Sequence, residues 1–205
     1  MSNVIVTIGR LYGSGGRKIG ELVAKELGVP FYDKELITET AKNSGYCEEV
    51  LKSNDERPSG SFLYSLVLGA NGDSLPLDNK LFLAQFETIK QIAEKGSCVI
   101  IGRCADYALE ERNDVFNVFI YCDMEKRIKR AVEEYGDDEK KITDTINKID
   151  KKRANYYNFY TGKKWGRAES YNMCIDSGKF GIEGTARIIA QCAKLFENEI
   201  ENKTE

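Results

Sequence analysis

The sequence predicts an α/β protein built on a doubly wound parallel sheet of about five strands, with helices on both faces and so three layers in all. Three observations predict it. The run Val4-Ile5-Val6-Thr7-Ile8 is apolar and β-branched almost throughout, as in a strand buried on both faces. A glycine cluster follows at once, and then Ile19, Leu22, Val23 and Leu27 recur at helical spacing. Strand-like and helix-like segments go on alternating to the end of the chain, which is the pattern of βαβ units.

The elements follow in order. Gly28 and Pro30 stop the first helix, Phe31-Tyr32-Asp33 reads as a short second strand, and Lys34 to Lys42 as a helix. Residues 44–78, with Gly45, Pro58, Gly60, Gly69, Gly72 and Pro76, carry little pattern beyond a short helical stretch around Phe62 to Leu68. Phe82, Phe86, Ile89 and Ala93 mark an amphipathic helix from Lys80 to Lys95, ended by Gly96. Cys98-Val99-Ile100-Ile101 is a continuous apolar strand that closes on Gly102-Arg103. Val115 to Tyr121 is another, leading through Cys122-Asp123 into a helix that carries Arg127 and Arg130. A long helix is expected from about Asp138 to Tyr160, with Ile142, Ile146, Ile149, Arg153 and Tyr156 or Tyr157 on one stripe. Tyr171 to Ile175 is the last strand, and Ile182, Ala186, Ile189, Ala193 and Phe196 define the closing helix.

Composition narrows the function. With 205 residues, 41% hydrophobic and 31% charged, the chain has the make-up of an ordinary globular protein. A formal net charge of −3 gives no basic field for a nucleic acid. The N-terminus lacks the basic and long apolar regions of a signal peptide, and no apolar stretch approaches the roughly 20 residues of a membrane span, so a cytoplasmic location is expected. The chain has no histidine, which removes Ser-His-Asp and Cys-His nucleophiles and any Cys/His zinc site. The six cysteines, Cys47, Cys98, Cys104, Cys122, Cys174 and Cys192, form no CxxC pair and read as reduced thiols.

The chemistry centres on Gly9-Arg10-Leu11-Tyr12-Gly13-Ser14-Gly15-Gly16-Arg17-Lys18, between the first strand and the first helix. Glycines there let backbone N–H groups turn inward, and a helix N-terminus adds positive potential, so the segment suits a phosphate. Arg17 and Lys18 stand where cations oppose the helix dipole unless an anion is near. The plain alternative is a glycine-rich turn. The pattern G-x-x-x-x-G-K-[ST] is not met: aligned on Gly15, Arg10 takes the place of its first glycine and Gly16 that of its lysine. Aligned on Gly16, Arg17 takes the lysine place and Lys18 that of the hydroxyl. Ser14 is the sole serine or threonine hydroxyl of the glycine-rich stretch. A rival reading takes the glycine spacing with Tyr160-x-x-x-Lys164 for an NAD(P)-dependent oxidoreductase. That pair must share a helix turn for lysine to act on tyrosine, and Gly162 interrupts it.

These residues carry a resemblance. Ile8 to Gly20, Phe31-Tyr32-Asp33-Lys34-Glu35-Leu36-Ile37, Val99 to Tyr107, Asp150 to Tyr157 and Ile175-Asp176-Ser177 resemble, in order, the blocks of the cytidylate-kinase-like family of nucleoside monophosphate kinases. The resemblance implies one P-loop NTPase-like kinase domain over 1–205, with an acceptor-binding region at about 34–95 and a helical lid at about 127–168. Cytidylate kinases carry an aspartate ahead of Gly-Arg, where this chain has Ile101.

The activity so implied is transfer of the ATP γ-phosphoryl to a nucleoside monophosphate, CMP in the simplest case. Gly13, Ser14, Gly15, Gly16, Arg17 and Lys18 would bind the donor phosphates. Arg103 would hold the acceptor phosphate, with Asp33 and Asp106 reading the acceptor. Arg17, Arg127, Arg130 and Arg153 would neutralise developing charge. Mg²⁺ would travel with ATP, with the Ser14 hydroxyl on hand and no dedicated metal ligands. Other roles stay open: Asp33 as a helix N-cap, Arg103 in an ion pair, Arg127 and Arg130 on a solvated face, Lys151 and Lys152 as surface charge, and Tyr156 to Trp165 as core or as a stacking surface. A nucleotide-binding or sensing protein of the same fold, without turnover, is the alternative function. Nucleotides are the expected partners, and self-association stays open.

Overall fold

The computed structural model describes residues 3–33, 35–36, 39, 43 and 77–202. The helix expected from Lys34 to Lys42 falls largely outside the described residues. The short helix expected near Phe62 to Leu68 falls wholly outside them.

The strands β1 (Ile5–Arg10), β2 (Phe31–Tyr32), β3 (Cys98–Ile101), β4 (Val115–Tyr121) and β5 (Met173–Asp176) form a single sheet in the order β2-β3-β1-β4-β5. Every pairing is parallel, with Ile5 opposite Cys98 on one side of β1 and Val115 on the other. Side chains alternate across such a sheet, and the two cores show it. Val4, Val6, Ile8, Val99, Ile101, Val118 and Ile120 pack on one face against α1 (Gly16–Leu27) and α6 (Ser177–Glu201). Ile5, Cys98, Ile100 and Val115 pack on the other against α2 (Leu77–Glu94) and α3 (Ala105–Ala108). The expected three-layer doubly wound sheet is therefore present.

Two further clusters build the C-terminal face. Helix α4 (Met124–Glu133) and the start of α5 (Ile142–Thr161) meet through Ala131, Ile142 and Ile146, with Tyr12 against them. The end of α5 packs Tyr156, Tyr157 and Tyr160 on Phe82 of α2, whose ring lies 3.9 Å from that of Tyr160 and nearly parallel to it. The tyrosine run is thus mostly core. Tyr160 is buried and its hydroxyl bonds Asn79 Oδ1, while Lys164 lies beyond Gly162, which caps α5 with φ 68°. Tyr160 and Lys164 share no helix turn, which removes the oxidoreductase reading; the strand order also differs from the 3-2-1-4-5-6 order of dinucleotide-binding sheets.

Several boundaries move. The first strand runs on through Gly9 and Arg10, which pair with Phe119 and Ile120, so the loop starts at Leu11. Gly9 is strand because the Phe119 ring lies over it: a methyl there would stand 2.8 Å from Phe119 Cδ2. Helix α5 begins at Ile142 rather than Asp138. In α6 the helix is kinked at Gly181 (φ 69°), just after the first turn, where the sequence showed only the later stripe.

Candidate functional site

Strand order reverses at β1: the chain leaves β1 for β2 on one side and later returns to β4 on the other. In open α/β sheets, ligands bind at the carboxyl ends of the strands beside such a point. The residues singled out from sequence gather there.

The loop Leu11–Gly15 is held through both its carbonyl groups and its amides. Arg153 Nη1 donates to the Arg10 oxygen (3.2 Å), Ser14 Oγ to that of Leu11 (2.8 Å), and Arg127 Nε to that of Tyr12 (2.6 Å). Arg130 Nη1 donates to the Gly13 oxygen (2.6 Å) and Ser177 Oγ to that of Ser14 (2.7 Å). Five successive carbonyls thus accept side-chain donors, four from α4, α5 and α6 and one from Ser14 within the loop. With the Leu11, Tyr12 and Ser14 amides committed to Ile120, Asp150 and Leu11, the Gly13 amide and those of the first turn of α1 are left to meet phosphate oxygens. Gly13 and Gly15 take φ near +77°, a conformation that glycine adopts without the penalty an L side chain meets (76° and 78°).

Arg127 and Arg130 are accordingly not on a solvated face. Arg127 is 6% exposed and also pairs with Asp150, whose other oxygen accepts the Tyr12 amide at 2.8 Å. Asp150 stands one turn before Arg153 in α5 but turns to Arg127 and the loop. Neither arginine points a free guanidinium into the cleft, so both build the loop rather than reach past it. Ser14 is corrected more sharply. It is completely buried, and its Oγ is committed to Leu11, so the serine hydroxyl of the loop does not face the cleft. Among the described residues no group of three or more carboxylates and cysteines forms a metal-binding cluster, and the residues present do not fit a resident Mg²⁺.

Arg17 and Lys18 do lie at the start of α1 and face an open cavity of about 380 Å³, lined also by Arg10, Tyr12, Gly13, Gly15, Gly16, Asp33, Tyr135 and Arg153. Their charge is balanced from within the chain. Arg17, 51% exposed at its side chain, binds Asp33 at 2.8 Å and Glu21 in the next turn, and Lys18 reaches Glu21 at 3.5 Å. Asp33 therefore serves as a partner for Arg17. Tyr12 packs edge-on to Tyr135 over this cavity, and its hydroxyl donates to Asp137 at 2.7 Å. Burial, helped by the Asp137 carboxylate, pushes the Tyr12 hydroxyl up to about 12, so it stays protonated.

A second, inner cavity lies against the end of β3, lined by Arg10, Arg103, Asp106 and Arg153 with Tyr156, Tyr157, Trp165 and Tyr171. Its volume of about 30 Å³ corresponds to two or three water positions at ~10–15 Å³ each. It suits one small anionic group, not a whole nucleotide. Gly102, Arg103 and Cys104 all adopt left-handed backbone (φ 69°, 62° and 55°). A non-glycine residue held there costs roughly 1–3 kcal/mol, and such strain gathers at functional turns. The turn aims Arg103 along the cavity wall. Asp106 is 7% exposed and accepts the Tyr157 hydroxyl at 2.6 Å. Burial raises its carboxyl above the ordinary range, and the Tyr157 hydroxyl only partly offsets this.

Sequence reading missed Arg10, Tyr12, Tyr135 and Ser177. Arg10 could have been found from its place at the end of the first strand, where the phosphate-loop pattern has a glycine. Ser177 and Tyr135 act from more than a hundred residues away, and of the two only Ser177 lay in a recognised block.

Comparison with known proteins places this geometry. The profile of the cytidylate kinase-like family matches residues 5–179. A cytidylate kinase of Archaeoglobus fulgidus is 24% identical over 206 residues, covering 97% of this chain and 99% of its own. The crystal structure of an uncharacterized protein from Eubacterium ventriosum is 30% identical, with a TM-score of 0.72 over 93% of this chain and 98% of that one. Shikimate kinase from Bacteroides thetaiotaomicron, at 15% identity and a TM-score of 0.55 over 93% of this chain and 98% of its own, shares the fold.

Proposed function

Because the chain belongs to the cytidylate kinase-like family, we propose that it is an ATP-dependent nucleotide kinase that moves the γ-phosphoryl group to a nucleoside monophosphate, with CMP the first acceptor to test. One observation carries the reading. Three guanidinium groups, those of Arg10, Arg103 and Arg153, line a cavity sized for one anionic group, and that cavity adjoins the cleft over the glycine loop. Among the described residues the one carboxyl in the cavity wall is Asp106, which burial disposes toward its neutral form. Such a cavity favours a phosphate over a neutral acceptor.

In this reading the loop amides with Arg17 and Lys18 bind the donor phosphates. Arg17 exchanges Glu21 and Asp33 for phosphate oxygens, its own side chain being half exposed. Arg103 holds the acceptor phosphate in the inner cavity, its nucleoside lying outside that cavity. Asp33 and Asp106 read the acceptor. An acceptor oxygen then forms a bond to the γ-phosphorus as the bond from that phosphorus to the bridging oxygen breaks, and the electron pair leaves with ADP. No general base is needed, since a phosphate monoester with a second pKa of about 6 is already a nucleophilic dianion at neutral pH. Arg127 and Arg130 act through the loop they position, and Arg153 lies beside the transferred group. Mg²⁺ enters as part of the MgATP substrate.

A second reading, a nucleotide-binding protein without turnover, draws on Ser14, whose buried hydroxyl is closed to a metal ion. A coupled ADP-release assay with MgATP and a panel of nucleoside monophosphates separates the two, run beside Arg17→Ala and Arg103→Ala. Acceptor-dependent release that both substitutions abolish is expected. ATP binding without release on any acceptor selects the second reading.

A further inference from the structure

Arg10 is the residue that neither the phosphate-loop pattern nor the expected roles of the other arginines account for. It ends β1 and paired with Ile120 it has no backbone freedom, so its position is fixed by the sheet. Its side chain passes through space that two glycines leave open. A methyl at Gly16 would stand 2.5 Å from Arg10 Cβ and 2.9 Å from its Cγ. A methyl at Gly102 would overlap Arg10 Nη1. The stem therefore runs beneath the start of α1, and the guanidinium ends beside the left-handed Gly102-Arg103-Cys104 turn. Arg10 and Arg153 are the two residues that line both the cavity over the loop and the inner cavity. The two are tied together, since Arg153 Nη1 donates to the Arg10 carbonyl. Arg153 Nε is buried and has no hydrogen-bond partner among the described residues. A buried donor without an acceptor is costly, and a passing phosphoryl oxygen would satisfy it.

We propose that Arg10 is a catalytic residue that grips the phosphoryl group as it crosses from donor to acceptor, doing from the last position of β1 the work that a lysine does in the usual phosphate loop. The proposal rests on the kinase reading. The chain has Gly16 or Arg17 at the lysine position, and Arg17 faces solvent at the outer edge of the cleft. Arg10 instead sits on the wall common to both cavities, where the equatorial oxygens of the γ-phosphoryl must pass while one P–O bond breaks and the other forms. A guanidinium suits that place because it stays charged and offers two parallel donors to two oxygens at once.

The test compares Arg10→Ala and Arg10→Lys with the parent chain in steady-state turnover, in ADP affinity by calorimetry and in slow ATP hydrolysis without acceptor. Arg10→Ala is expected to lower kcat by roughly 100- to 1,000-fold, the scale of removing one donor aimed at transition-state charge. ADP affinity should stay within about threefold, because ADP lacks the transferred group. Arg10→Lys should recover only part of the rate, and added guanidinium ion should restore activity to Arg10→Ala in a saturable way. A kcat within threefold of the parent overturns the proposal. So does a joint loss of ADP affinity and melting temperature that guanidinium does not repair, which would make Arg10 a packing residue. If the parent uses water but no nucleoside monophosphate, the acceptor reading fails while hydrolysis still scores Arg10. A parent that turns over ATP with neither overturns both.

Discussion

Replacing Arg127 by methionine removes the centre of the loop's support. Arg127 is buried, donates to the Tyr12 carbonyl at 2.6 Å and pairs with Asp150, itself bound to the Tyr12 amide at 2.8 Å. Methionine fills the stem's volume but leaves the mostly buried Asp150 carboxylate without its counter-charge. Breaking a buried pair from one side costs about 3–5 kcal/mol. For a chain of 205 residues, at about 2–4 °C per kcal/mol, the melting temperature should fall by roughly 6–20 °C. The companion Arg127→Met/Asp150→Leu removes both charges together and should regain most of that stability, since a packed apolar pair of similar volume is commonly neutral or better. It should not regain nucleotide binding, because the Tyr12 carbonyl and amide have both lost their anchors. Thermal and urea unfolding read the first effect and ADP titration the second. A single variant within 1 kcal/mol of the parent, or a double variant that binds ADP normally, would refute the claim that this pair shapes the loop.

Other substitutions separate loop geometry from chemistry. Ser14→Ala loses one hydrogen bond, about 0.5–1.5 kcal/mol of stability, and should leave MgATP affinity within twofold; a loss seen only with Mg²⁺ present would show the hydroxyl turning to the metal. Gly13→Ala puts a methyl 2.6 Å from the Arg127 carbonyl at φ +76° and should abolish ADP binding while costing more than about 2 kcal/mol in urea unfolding. Asp106 has its carboxyl raised by burial, so its protonated form favours folding. Its contribution is complete below the unfolded value of about 3.9 and is lost as pH rises through the folded value. Asp106→Asn, which keeps an acceptor for Tyr157, should therefore gain stability on the parent as pH rises above the ordinary carboxyl range, while acceptor KM rises. Equal pH profiles of unfolding for the two proteins would show that the Asp106 carboxyl titrates alike in the folded and unfolded chain.

The layers were legible because β-branched runs and helical stripes are local signals. Val4 to Ile8, Cys98 to Ile101 and Val115 to Tyr121 needed no partner to be recognised, and each lies in the sheet. The limits of the first strand were not legible, because Gly9 reads as loop until Phe119 covers it from β4. The same blindness hid Arg10, one residue on. The gathering of Arg17, Asp33, Arg103, Asp106 and Arg153 followed from motif order, but the partners did not. Asp150 chose Arg127 over the nearer Arg153 through the approach of α4 to α5, and Ser14 was turned inward by carbonyl bonds that no spacing encodes. Arg17 and Lys18 at a helix start read as a sign of a missing anion, yet Glu21 and Asp33 already balance them. That charge argument needed the tertiary position of Asp33.

The central claim is transfer between nucleotides, and the most direct measurement follows the phosphoryl group itself. ATP labelled at the γ-phosphorus is incubated with the full chain, Mg²⁺ and each nucleoside monophosphate in turn, and the products are separated by chromatography. The account predicts label in a nucleoside diphosphate, formed from CMP ahead of the other acceptors and absent when Arg103 is replaced by alanine. Label that stays in ATP with every acceptor, or appears only as inorganic phosphate, would contradict it.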